Sequence, residues 1–581
     1  MPILSLIGAP HVRLPGSEPK DSEHGVRTPL LASQFPRDAE VGEKYQRGAR
    51  RHRCLLVTVL GILMMATAGS FLVQQHMAVE RITSGTLAKP APSTETSETQ
   101  PPDAAPPSVP DSSAQPERPH AAAVRRELDA LFAHQSRTLA QAEARYTLKT
   151  RRAPPRNFAH WFRFARENRC LVDEYDQIHR DFAPFYQLAQ HDPHFFQRMI
   201  DLGSAKMLKD PKGMTTIGVR NGELHMPEYA STAYDGENEW PRTLGRFAQY
   251  LPDMDVMLNG RDEPRVLFNY RAQGMKAKAT QLTDPAPFEL APHPTAELFN
   301  AREGCVIPTD KAEGFWESAN DDVAFLLSSS SSDFTVDLYP LLSMTKISPC
   351  FSDILFPGQY FYSESGWSGK YAYPDNVSWE DKKSILYWRG TSNGGHIYGQ
   401  NFRHFPRFKL VELAQNHSDM IDARMTAFWG PHCTEDCNGD PIVEEYDIHG
   451  PGDAREAVYE YKYLLDVDGN TFSGRFLGLL RSGSLVFKST VFDEYFNAWV
   501  RPYEHYVPVR PDLSDLVERV AWAEAHPEEA RLIQERGRQV AERVITDAQN
   551  DCYFFAVLLE WAQLQEYARL AGSNTTSAMD R

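Results

Sequence analysis

Apolar and polar positions follow different rhythms along this chain, and each change of rhythm marks a change of predicted element. Residues 54–73 are twenty consecutive positions without a charge, about the width of a bilayer core. From residue 83 to 120 large apolar side chains almost vanish from a stretch rich in Pro, Ser, Thr and Ala, which cannot bury enough surface to fold and reads as an extended stem. Residues 121–149 form a charged helical pattern with Leu128, Leu131, Phe132 and Leu139 on a weak apolar stripe, a neck helix. A folded body is expected from about Asn157, and the tail beyond Ala571 is polar.

Inside the body, short apolar runs at 256–258 and 323–327 predict strands, and the period at 195–202 predicts a helix. The second half alternates more clearly: a strand at 385–388, a helix at 405–413, a strand at 463–467, a helix beginning at Phe476 and a strand at 484–488. Helical periodicity returns at 513–544 and again at 551–570. Strands alternating with helices predict an α/β fold with parallel sheets.

Charge sets the orientation. Arg47, Arg50, Arg51 and Arg53 precede the uncharged span, which places the first residues in the cytosol and everything after Val73 in a lumen or outside. The span starts far from Met1, so it reads as an uncleaved anchor rather than a signal peptide. With 61 basic and 78 acidic residues the net charge is −17, which argues against a nucleic-acid partner. An anionic ligand must then be held by local arginines. Of seven cysteines, one (Cys54) lies in the span, and the remaining even set suggests disulfides. Cys433 and Cys437, with His432 beside them, lack a second ligand pair and fit a local disulfide or free thiols better than a metal site. Sequons at Asn376, Asn416 and Asn574 all fall on the expected lumenal side.

The segment 462–488 is a strand, a loop opening a helix, and a second strand, one parallel crossover unit. Its loop carries Ser473, Gly474 and Arg475 at the carboxyl end of the first strand, where open α/β sheets bind ligands. Tyr387-Trp-Arg-Gly390 repeats this logic: an apolar strand ends in Arg389 and a small-residue loop. Two guanidiniums at two parallel strand ends are placed to converge on one diphosphate. Asn259-Gly-Arg-Asp-Glu-Pro264 puts Asp262 just past a strand, as a general base toward a hydroxyl or as a turn cap before Pro264. Asp466-Val-Asp468 has the form of a metal–nucleotide-sugar triplet, yet its place at a strand end suits a structural turn. No phosphate-binding Gly-x-x-x-x-Gly-Lys loop, His-Glu-x-x-His or Gly-x-Ser-x-Gly occurs.

Taken in order from about Asn157 to Leu570, Val172-Asp-Glu-Tyr-Asp-Gln-Ile178 with Pro184-Phe185, Asn259-Gly-Arg-Asp-Glu-Pro264, Tyr387-Trp-Arg-Gly390, Tyr461-Lys-Tyr-Leu-Leu-Asp-Val-Asp-Gly469, Phe472-Ser-Gly-Arg-Phe476, Gly483-Ser-Leu-Val-Phe487 and His505-Tyr-Val-Pro-Val509 resemble the fungal capsule-associated glycosyltransferases. These belong to glycosyltransferase family 90, which also holds the animal protein O-glucosyltransferases. The resemblance implies a GT-B-type fold, two Rossmann-like domains facing a cleft that holds a UDP-sugar, and inverting transfer without an obligatory metal or other cofactor. It implies that Asp262 is the base, that Arg389 and Arg475 hold the diphosphate, and that Gly390, Ser473 and Gly474 shape the donor site. The animal branch commonly ends in an ER-retention tetrapeptide, whereas this chain ends Ala578-Met-Asp-Arg581.

The resulting expectation is a type II Golgi membrane enzyme. It comprises a cytosolic tail (1–53), an anchor (54–73), a stem and neck (74–156), an acceptor-side domain (157–375), a UDP-sugar domain (376–570) and a polar tail (571–581). It moves xylose, or next glucose, from a UDP donor to a glycan or glycoprotein hydroxyl. A catalytically silent glycan-binding scaffold and a nucleotide-sugar hydrolase are the competing expectations.

Overall fold

The structure, a computed structural model, describes residues 120–207, 214–225, 243–260, 263–271, 274–281, 289–290, 333–335, 337–362, 377–395, 397, 399–430, 433, 437–449 and 452–570. The expected anchor at 54–73, the stem up to residue 119, the run at 323–327 and the tail lie outside them. Among the described residues no helix is long and apolar enough to cross a membrane.

The neck stretch folds as two helices, α1 (Ala121–Ala133) and α2 (Leu139–Thr150), the second opened by a capping box between Thr138 and Gln141. Neither stands apart from the body. Ala121, Val124 and Leu128 are buried, Glu127 pairs with Arg536 at 2.9 Å, and Asp129 pairs with Arg543 at 2.6 Å. The folded unit therefore begins before the expected Asn157, because the weak apolar stripe has a partner distant in sequence. Three further helices follow: α3 (Phe158–Glu167), α4 (Asp176–Ala189) and α5 (Phe195–Met207).

The first sheet is mixed. Strands β1 (Met214–Arg220), β2 (Glu223–His225), β3 (Met254–Asn259), β4 (Leu342–Ser343) and β5 (Ile354–Leu355) run in the order β2-β1-β3-β4-β5. The β2-β1-β3 side is antiparallel and the β3-β4-β5 side parallel.

The second sheet is parallel throughout. It contains β6 (Lys383–Thr391), β7 (Ile421–Ala427), β8 (Tyr461–Val467), β9 (Leu485–Ser489) and β10 (Val507–Val509), ordered β7-β6-β8-β9-β10. Helix α6 (Pro406–Asn416) links β6 to β7, and α7 (Phe476–Arg481) links β8 to β9. Every residue of β9 is buried, as a strand covered on both faces requires. The expected helical stretch at 513–544 divides into α8 (Leu516–Ala525) and α9 (Pro527–Arg543), because Pro527 starts a new helix at a position where no N–H is needed.

The last helix, α10 (Asp547–Gln565), opens on Thr546, whose hydroxyl accepts from the Gln549 N–H. It is apolar around nearly its whole circumference and is correspondingly buried from Gln549 to Leu559 except at Ala556. Although the expected second domain (376–570) includes it, α10 packs into the first half. Trp561 donates to Asp255 O at 2.9 Å, Trp161 donates to Cys552 O at 2.9 Å, and Cys552 is bonded to Cys170. Glu560 accepts from the hydroxyls of Tyr146 (2.7 Å) and Tyr186 (2.6 Å). Truncating this anchor, Trp561→Ala, should cost about 3–5 kcal/mol of stability, read as a shift in the urea midpoint; a change under about 1 kcal/mol would show that the helix does not hold the first half together.

Candidate functional site

Numbered by chain order, the second sheet reads 2-1-3-4-5. Its crevice therefore lies between β6 and β8, where successive connections turn in opposite directions and open α/β sheets admit ligands. The last pair joining these strands is Tyr387–Leu464, and beyond it they part. Arg475 fills the gap from the far side, donating from Nη1 to Arg389 O at 2.6 Å.

The Trp-Arg-Gly segment is a packed unit. The Trp388 ring folds back over Gly390, where an added Cβ would sit 2.5 Å from the indole, so only glycine fits. Because a strand alternates its faces, Arg389 emerges on the face opposite Trp388. Its Nε donates to Asp453 at 2.7 Å, its Nη2 lies 2.8 Å from Asp422, and its Nη1 donates to the carbonyls of Trp388 (2.9 Å) and Asp422 (3.0 Å). Burial pushes the Asp422 carboxyl up, but the Arg389 contact outweighs it and holds the group below the usual range. Arg389 and Arg475 line one cavity of about 150 Å3, yet the Arg389 charge is already matched by two carboxylates.

A different arginine joins Arg475. Arg407, the second residue of α6, crosses the crevice. Its Nε donates to Asp468 O at 3.0 Å, and its Nη1 donates to Thr391 O at 2.9 Å and to Asn393 Oδ1. It thus ties the loop after β6 to the loop after β8. Gly469 is needed there, since a Cβ would come within 2.8 Å of Arg407 Nη2. The Arg407 and Arg475 guanidiniums lie 5.6 and 5.9 Å from the Trp388 ring centroid. Burial, and then the Arg475 charge, push Arg407 down to about 9, still charged at neutral pH. Arg475 Nη2 is buried with no hydrogen-bond partner, and so is Trp388 Nε1. Two mutually repelling cations with an unused donor form a site short of negative charge. Ser473 is buried, and Gly474 lies against the Tyr360 ring, where a Cβ would meet carbon at 3.1 Å.

Asp466 and Asp468 are buried beneath the loop. Lys488 Nζ lies 3.0 Å from Asp466 and 3.2 Å from Glu494, while Asp468 accepts from Val491 N–H at 3.0 Å. Burial pushes Asp468 and Glu494 up to about 7. Asp466 and Glu494 form a buried ion cluster with Lys488, while Asp468 is held at the strand end by the Val491 N–H. Cys433 and Cys437 are bonded to each other, which resolves the alternatives left open for that pair.

Arg261 and Asp262 lie outside the described residues, but both ends of their loop are clamped. Asn259 Nδ2 donates to Glu263 O at 2.6 Å and to Ser343 Oγ at 3.1 Å. The Arg265 and Val266 N–H groups donate to the Asp353 carboxylate at 2.9 Å each, and Ser343 Oγ donates to it at 2.5 Å. Sequence reasoning missed Arg407 and Asp353. The available signal for Arg407 was Pro406 at a helix start after a Gly-rich loop.

Residues 338–577 match the glycosyl transferase family 90. The chain is 32% identical over 188 residues to protein O-glucosyltransferase 2 of Danio rerio, covering 32% of this chain and 34% of that protein. It is 27% identical over 246 residues to protein O-glucosyltransferase 1 of Homo sapiens, covering 39% and 58%. The chain thus spans between a third and three fifths of these curated relatives. Among solved structures, sucrose-phosphate synthase from Thermosynechococcus elongatus aligns over 41% of this chain and 54% of its own at 16% identity, with a TM-score of 0.22 too low to carry an argument.

Lys488→Met should destabilise the protein by about 3–5 kcal/mol, because it leaves carboxylates buried without a cation. Asp468 and Glu494 have folded values raised to about 7. Their contribution is therefore present at low pH and lost as pH rises through about 7, so the loss should be greater at pH 8 than at pH 5. Denaturation curves at the two pH values test this, and an equal loss would count against the cluster.

Proposed function

We propose that this protein is an inverting glycosyltransferase that takes a sugar from a UDP donor bound in the β6–β8 crevice. The observation that carries this reading is the pairing of Arg407 with Arg475, whose Nη2 is buried without a partner. A diphosphate supplies the negative charge that this pair of cations lacks and an acceptor oxygen for Arg475 Nη2. As the leaving UDP gains charge, the same pair stabilises it, a transition-state contribution. Arg389, matched by Asp422 and Asp453, acts as a positioning residue: its carbonyl holds Arg475. Gly390, Ser473 and Gly474 keep the crevice walls close.

Asp262 takes the proton from the acceptor hydroxyl as that oxygen attacks the anomeric carbon. Support comes from the hydrogen bonds that hold the flanking residues, Asn259 and Glu263 to Val266, just past the end of β3. In this mechanism no metal is obligatory, since the two arginines balance the diphosphate. Xylose and glucose are the donor sugars to test, glucose having gained weight from the relatives' names. A GT-B arrangement, with the first sheet on the acceptor side, a glycan or glycoprotein acceptor, and a type II anchor at 54–73 holding the body in the Golgi lumen complete the proposal. The disulfides Cys170–Cys552 and Cys433–Cys437 suit such an oxidising compartment.

Two variants divide the mechanism. Arg475→Ala should weaken UDP binding at least about tenfold by calorimetry, the loss of one charge-assisted contact. Asp262→Asn should lower transfer by about 100-fold or more, with UDP affinity retained. Unchanged turnover in Asp262→Asn removes the assigned base, and unchanged UDP affinity in Arg475→Ala removes the donor site. Wild-type protein that binds no UDP would favour the silent scaffold.

A further inference from the structure

A second cavity, of about 510 Å3, shares no lining residue with the crevice. It lies between α4, residues 269–271, residues 346–352 and the segment 493–498, so both halves of the fold contribute to it. Its size falls in the range of small-molecule sites.

Its charges do not balance. Among the described residues three cations, Arg180, Arg271 and Lys346, face two carboxylates, Asp181 and Asp493. Lys346 and Asp181 are buried and cancel each other at 2.5 Å. Asp493 accepts from Asn497 Nδ2 and from Ser348 N–H, both at 3.2 Å. Among the described residues Arg180 donates only to a neutral group, Gln177 Oε1, at 2.7 Å. Arg271 stands exposed at the mouth, and its guanidinium has no hydrogen bond or ion pair among the described residues. The Tyr270 hydroxyl is buried without a hydrogen-bond partner. Planar amides, an unused phenol and uncompensated guanidiniums suit a polyhydroxylated ligand that also carries negative charge.

One wall reaches the loop of Asp262. Lys346 Nζ donates to Asp353 O at 2.8 Å, and the Asp353 carboxylate clamps Arg265 and Val266. The cavity wall and residues 265–266, which follow the Asp262 position in sequence, are therefore held by the same residue, Asp353. We propose that this cavity takes an anionic sugar unit of the acceptor, a carboxylated or phosphorylated saccharide, with Arg180 and Arg271 on its charge and Tyr270 on one of its oxygens. This assignment rests on the glycosyltransferase reading for the word acceptor, but its binding test does not.

Full-length protein in detergent is titrated with methyl glucuronide, glucose 6-phosphate and methyl glucoside, with and without excess UDP. At least one anion should bind about tenfold or more tighter than the glucoside, and which one does so separates carboxylate from phosphate. In R180Q/R271Q, both at exposed positions, that advantage should fall below roughly twofold while UDP affinity stays at the wild-type value. Equal binding of the three sugars overturns the proposal, as does a preference that survives the double substitution. A preference intact in protein that binds no UDP supports this cavity and overturns only the crevice reading.

Discussion

The burial of α10 is the constraint on which the rest of the molecule depends. A helix apolar on almost every side has one stable place, enclosed on all faces, and the first half of the chain builds that enclosure around it. Trp161, Tyr146 and Tyr186 reach it from three helices, and Trp561 reaches from it to the β3 carbonyl of Asp255. Asn550, near its start, donates to Phe361 O at 2.7 Å. Phe361 stacks on Phe472, the residue before Ser473. The loop that carries Arg475 is thus packed against a segment fixed by the final helix. Crevice geometry and first-half core are one packing problem.

At the crevice, electrostatics and sterics act together. Arg407 bridges two loops through carbonyl and amide oxygens, which satisfies its hydrogen bonds without cancelling its charge. Arg475 bonds to a carbonyl in the same way. Of the carboxylates close by, Asp422 and Asp453 pair with Arg389, Asp466 and Glu494 pair with Lys488, and Asp468, whose charge favours the Arg407 cation, accepts from Val491 N–H. An acidic protein has in this way kept a small positive region by pairing neighbouring carboxylates, two to a cation, with Arg389 and Lys488. Gly390 and Gly469 let the two loops approach closely enough for that to work.

Legibility in the sequence followed burial. Strands β8 and β9 were readable because sheet interiors covered on both faces give unbroken apolar runs. The edge strand β7 was not, since Ile421, Ala423 and Met425 point inward while Asp422 and Arg424 alternate with them, and a short alternating stretch lacks contrast. The β1–β2 hairpin was missed for the same reason. Arg475 was identified as a site candidate from its place after a strand. Arg389 drew the same inference, but strand alternation puts it on the face away from Trp388, where aspartates distant in sequence meet it. Arg407 looked like any helix arginine, because its burial comes from Asp468 and Thr391, contacts that no local pattern encodes. The Asp262 loop was found by motif, whereas the clamp from Asp353 lies 88 residues from Arg265.

The Cys170–Cys552 bond joins residues 382 apart. On a ribosome the two sheets therefore have different timetables. Every strand of the parallel sheet lies between Lys383 and Val509, so it can assemble as soon as that stretch emerges. The first half is synthesised earlier but completed later, because its interior stays open until the last helix is released. During that interval Trp161 and Phe196, which meet Cys552 and Trp561, remain uncovered on that side, and the chain depends on whatever shields nascent apolar surface. Birth order and completion order are reversed, and the helix Asp547–Gln565 closes the part made first.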